Sequence, residues 1–105
     1  MEIFYSNRKI EKILSSLTAM KNIFGPKDSL KLISLLKQFE YANSLEDIPS
    51  VPPPRRHKLS GDKKDCWGIC FSDKNRIVVE PYGEFDIGDL SSIKCVKIIM
   101  VGDYH

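Results

Sequence analysis

The chain has 105 residues, of which 42% are hydrophobic and 29% charged, with a formal net charge of +2. That length suits a single domain with one modest core, and the composition excludes a disordered or fibrous chain. No apolar run approaches the roughly 20 residues of a membrane span. The opening Met1-Glu2-Ile3-Phe4-Tyr5 has neither the basic nor the apolar stretch of an export signal, so a cytoplasmic protein is expected, with no membrane partner.

The first five residues alternate as a strand does and stop at Ser6-Asn7, residues suited to capping a helix. Ile10, Ile13, Leu14 and Leu17 then fall at i, i+3, i+4 and i+7, one apolar stripe of a helix. Gly25-Pro26 breaks the chain: glycine suits a helix end, and proline suits the first turn of the next helix. Leu32, Leu35, Leu36 and Phe39, with Ile33 beside them, define a second helix over about 27–42. Two helices meeting at a Gly-Pro corner form a hairpin. From Ile48 to Pro54 four prolines remove donors and fix φ, which predicts an extended connector.

Beyond the prolines the period changes from 3.6 to 2. Trp67, Ile69 and Phe71 alternate with Cys66, Gly68 and Cys70. Ser72-Asp73-Lys74-Asn75 is a turn, and Ile77 and Val79 alternate with Arg76, Val78 and Glu80. A loop leads to a last strand over about 93–101, apolar on both faces as a central strand is. The fold class is therefore α+β, in the order β-α-α-β-β-β, an antiparallel sheet with the helical hairpin on one face.

Strand parity then sorts the side chains. With Trp67, Ile69, Phe71, Ile77 and Val79 toward the helices, Arg76 and Cys70 emerge on the open face. On the last strand Val96, Ile98 and Met100 share one face. Cys95, Lys97, Ile99 and, if the strand continues, Asp103 and His105 share the other. An unpaired buried ammonium is costly, so Lys97 belongs to the open face. Arg76, Lys97, Asp103 and His105 are expected on one surface.

The three cysteines, Cys66, Cys70 and Cys95, are odd in number and read as free thiols in the core or half-buried. Cys66 and Cys70 lack zinc-knuckle spacing, and no metal or other cofactor is expected. Charge is uneven along the chain. Residues 55–65 hold five Lys/Arg against two Asp, whereas 80–92 hold four acids and no base. On charge alone the two stretches read first as solvated loops; the functional alternative is a basic patch that meets phosphate and an acidic loop kept from it or used on another partner.

The only histidines are His57, within Arg55-Arg56-His57-Lys58, and His105. Histidine passes protons near neutral pH. RNA cleavage needs a base for the 2′-hydroxyl, an acid for the departing 5′-oxygen and cations for the phosphate. Two histidines, a tyrosine and an arginine on one face would supply them.

In order and spacing, His57-Lys58-Leu59-Ser60-Gly61-Asp62, Trp67-Gly68-Ile69, Arg76-Ile77 and Asp103-Tyr104-His105 resemble the HigB-type toxins of the RelE/ParE superfamily. The Gly25-Pro26-Lys27 corner, the Pro52-Pro53-Pro54 approach and Val79-Glu80-Pro81 resemble a longer subgroup of these killer proteins. The resemblance spans nearly the whole chain. It implies a type II toxin that enters the ribosomal A site and cuts mRNA. A cognate helix-turn-helix antitoxin would neutralise it and would be the route to operator DNA. It further implies a cleavage centre of His57, Arg76, Asp103, Tyr104 and His105. His57 or His105 would be base or acid, Arg76 would neutralise the phosphate, and Asp103 would orient a neighbour. Arg55, Arg56, Lys58, Lys63, Lys64 and Lys97 would hold RNA backbone.

The sequence departs from the family at two cations. Ser60 stands where several members have a basic residue, and Cys70-Phe71-Ser72 replaces a segment that carries an arginine. A ParE-like toxin acting without acid–base chemistry, or an inactive antitoxin-binding remnant, are the alternatives on the same fold.

Overall fold

A computed structural model describes residues 1–63 and 65–103, so Lys64, Tyr104 and His105 lie outside the described residues. The strands are β1 (Glu2–Tyr5), β2 (His57–Lys58), β3 (Trp67–Cys70), β4 (Arg76–Pro81) and β5 (Cys95–Gly102), and the helices α1 (Arg8–Leu14) and α2 (Leu17–Tyr41). The sheet order is β1-β5-β4-β3-β2. The three later pairings are antiparallel, while β1 runs parallel to β5, so the expected antiparallel core gains a parallel edge.

The helices start where the sequence offers acceptors. Asn7 takes the Ile10 N–H at 2.9 Å, and Ser16 takes the Ala19 N–H at 3.1 Å. The second cap was not read from the sequence. It ends the first apolar stripe at Leu14 and leaves Leu17 46% exposed, with Met20 entering the core instead. The hairpin corner is where it was expected, at Gly25, whose φ of 86° and ψ of 166° break α2 ahead of Pro26.

One cluster forms the core. Ile10, Leu14, Leu32, Leu35 and Phe39 pack on Ile69, Phe71, Ile77, Val79, Val96 and Ile98. Each such side chain contributes about 1.5–3 kcal/mol relative to exposure. The β3–β4 turn is tied down by Asn75, which is buried and donates from Nδ2 to Asp28 on α2 at 3.0 Å.

Two expectations are corrected. The proline segment is not extended. It turns back on itself, with the Arg56 N–H on the Pro49 carbonyl at 2.8 Å and the Arg55 N–H on Val51 at 3.1 Å. Prolines have no N–H, so the next two amides close the turn. The parity of β5 also changes. Val78 pairs with Met100 but Val79 with Ile98, which makes Ile99 the extra residue of a bulge. Met100 therefore lies on the open face with Val78, and Val101 joins the core beside Ile77.

Candidate active site on the open face of the sheet

The open face carries a row of cross-strand neighbours: His57 on β2, Gly68 on β3, Val78 on β4 and Met100 on β5. Cys70, Arg76 and Gly102 form the next row. The parity read for β3 and β4 holds, and it brings Arg76 to His57. Nη1 of Arg76 lies 3.3 Å from Nε2 of His57, and Nδ1 of His57 lies 3.1 Å from the Arg55 carbonyl.

These partners fix the imidazole. A carbonyl only accepts, so Nδ1 carries the hydrogen. A guanidinium only donates, so Nε2 presents its lone pair. Arg55 holds a left-handed φ of 53°, a conformation few non-glycine residues adopt, at the residue whose carbonyl meets the ring.

Gly68 is the floor beneath His57. A Cβ there would meet Cε1 of His57 at 2.8 Å and Nε2 at 3.0 Å, closer than side chains tolerate. Gly68 has no role in the resemblance beyond its place in Trp67-Gly68-Ile69, although a glycine inside a strand is itself a signal of close approach.

The remaining candidates separate. Asp103 is exposed and follows Gly102, the cross-strand partner of Arg76. That pairing, rather than strand parity, brings the end of β5 to the arginine, because the bulge reverses the parity. Tyr104, His105 and Lys64 lie outside the described residues. Lys97 is on the open face as read, but β5 and β2 are three strand spacings apart, about 14 Å. Its Nζ sits 4.7 Å over the Tyr82 ring, which packs on Phe4 at 4.9 Å.

Arg56 is also engaged, with its guanidinium 5.2 Å over the Trp67 ring and Nε donating to the Ile48 carbonyl at 2.8 Å. Burial pushes this guanidinium down, with Glu46 acting the other way. Arg55 and Lys58 are exposed, and Lys63 is half-buried in the 3-10 turn Gly61–Lys63.

Of the thiols, Cys66 is buried, while Cys70 and Cys95 are half-buried. Burial raises the Cys66 thiol, with Glu80 and Asp65 adding to the shift and Lys63 opposing it. Among the described residues no cluster of three His, Cys, Asp or Glu could hold a metal, and no helix is long and apolar enough to cross a membrane. Two acids of the 80–92 stretch, Asp86 and Asp89, organise the loop itself. Asp89 accepts from the N–H and hydroxyl of Ser91, and Asp86 from the Gly88 N–H.

The chain superposes on a YoeB/ParE toxin from Agrobacterium tumefaciens with a TM-score of 0.61 over 100% of both chains, at 12% sequence identity. The fold is thus RelE/ParE-like, the α+β class read from the order of elements. At that identity the likeness is one of architecture. No protein-family model and no curated protein matches the sequence.

Proposed function

We propose that the chain is the toxin of a type II toxin–antitoxin pair and acts as a HigB-like, ribosome-dependent endoribonuclease in the cytoplasm. The observation that carries this is the His57–Arg76 contact on the open face, with the end of β5 paired to Arg76. An imidazole whose Nε2 can accept a proton and a guanidinium beside it match what RNA cleavage asks for.

In this reading a ribose 2′-hydroxyl of mRNA gives its proton to Nε2 of His57 as its oxygen attacks the adjacent phosphorus. The bond to the 5′-oxygen breaks, leaving a 2′,3′-cyclic phosphate. Arg76 turns from the ring to the phosphate, where its planar fork stabilises the developing charge. His105 protonates the departing oxygen, and Tyr104 and Asp103 position that exchange. Arg55, Lys58, Lys63 and Lys64 hold the backbone. Arg56 and Lys97 contribute through the surfaces they brace, since both already face aromatic rings. A helix-turn-helix antitoxin covers the toxin and links it to operator DNA.

The decisive experiment is production of the chain without its antitoxin, with growth followed and mRNA 5′ ends mapped. Growth arrest with new 5′ ends, both abolished by His57→Ala, is expected. Arrest with intact mRNA and DNA-damage signalling would replace this reading with a ParE-like one. No arrest at all would replace it with an antitoxin-binding remnant.

A further inference from the structure

Beside the His57–Arg76 site, an open groove of about 710 Å³ runs between α2, the proline turn and the β3–β4 turn. Its floor is apolar, from Leu35, Phe71 and Pro54, all buried. Its rim is polar, with Ser34 and Gln38 on one wall and Ser72 on the other. Two cations, Lys31 and Arg55, stand on this rim against one acid, Asp73.

The groove is continuous with the site through two residues. Arg55 lines it and holds the His57 ring through its carbonyl. Cys70 lines it and is the cross-strand partner of Arg76. A flat apolar group with hydrogen-bonding edges, attached to an anion, fits this combination, and the volume is in the range of small-ligand sites. A nucleotide has that chemistry: the base occupies the floor and the phosphate meets Lys31 or Arg55.

We propose that this groove binds one nucleotide of the substrate RNA, next to the bond that is cut. The proposal rests on the endoribonuclease reading and adds a subsite to it. The strand crosses the edge of the sheet at Arg55, with its scissile phosphate at Arg76 and a neighbouring base between α2 and the proline turn. Lys31, from the helical layer, thereby becomes an RNA-binding residue that neither charge runs nor strand parity pointed to.

The test is titration of the full chain with a tetraribonucleotide bearing 2′-O-methyl groups, which His57 cannot activate, followed through amide chemical shifts. Ser34, Gln38 and Ser72 are expected to shift together with His57 and to saturate at the same concentration. Ser34→Trp, which fills the groove from an exposed helix position, is expected to abolish the groove shifts and weaken binding about tenfold. Lys31→Glu is expected to weaken it similarly, and both variants should keep the circular dichroism of the unaltered chain. Shifts confined to the open face, or Ser34→Trp binding as tightly as the unaltered chain, would overturn the proposal. Groove binding by a chain that never cuts RNA would remove the cleavage reading and leave the groove assignment standing.

Discussion

Nη1 of Arg76 donates to Nε2 of His57 over 3.3 Å, although the two residues are 19 positions apart in the chain. The contact exists because β3 lies between their strands and carries glycine at the position the ring crosses. His57→Ala is expected to lower RNA cleavage by about 10²–10⁴-fold, the usual contribution of a proton-transfer group. Arg76→Ala is expected to cost about 10²–10³-fold through loss of charge stabilisation. Mapped 5′ ends and growth rate measure both, and retained cleavage in both variants would remove this pair from the centre.

Gly68→Ala places a methyl against the His57 ring. Overpacking of this kind costs about 1–3 kcal/mol, and here it also displaces the imidazole. Cleavage should fall nearly as far as in His57→Ala. In a His57→Ala background the same change should cost much less stability, because the remaining tight contact is a terminal methyl of Leu59. Urea unfolding of the four proteins forms a double-mutant cycle, and additive losses would show that the ring and the glycine are not coupled.

Arg56 and Lys58 are close in sequence but should fail differently. Arg56→Ala removes a guanidinium stacked on Trp67 and bonded to the Ile48 carbonyl, so a stability loss of about 1–3 kcal/mol is expected. Lys58→Ala should leave the melting temperature nearly unchanged. It should weaken RNA binding and reduce the salt dependence by about one phosphate contact. Unfolding curves together with salt titrations of binding separate the two.

The chain should lose stability in alkali. Burial raises the Cys66 thiol from its ordinary 9.0, and burial with Glu11 and Glu40 raises Tyr5 from 10.0. Both groups hold their protons more tightly folded than unfolded. Their contribution is complete below the unfolded values and disappears as pH rises through the folded ones. Urea midpoints should therefore fall from pH 8 to pH 11, with the decline above pH 10 reduced in Tyr5→Phe. A midpoint rising over that range would contradict these shifts. Cys66 should also alkylate more slowly than Cys70 and Cys95 at pH 8.

Much of this arrangement is readable from residue order. The Gly25-Pro26 corner, the parity of β3 and β4, and the open-face placement of Arg76 and Lys97 follow from periodicity and from the cost of burying charge. The bulge at Ile99 does not. A strand apolar on both faces loses no hydrophobic contact when one residue is inserted, so its sequence carries no mark of the shift. The Ser15-Ser16 break was hidden by an apolar stripe that continues in phase across it to Leu17. At two residues, β2 is too short for any period to show. Its presence, and hence the approach of His57 to Gly68, follows from tertiary pairing alone.

That two-residue strand gives the two halves of the site unequal persistence. Arg76 belongs to β4, which is hydrogen-bonded on both sides, whereas His57 hangs from the sheet's edge by a ladder two residues long. Releasing β2 requires far less free energy than unfolding the core, so the imidazole can leave the guanidinium while the molecule remains folded. Amide exchange should report this as early exchange at Lys58 and late exchange at Val78. The His57–Arg76 contact is then a locally populated state, held by the edge of a sheet that outlasts it.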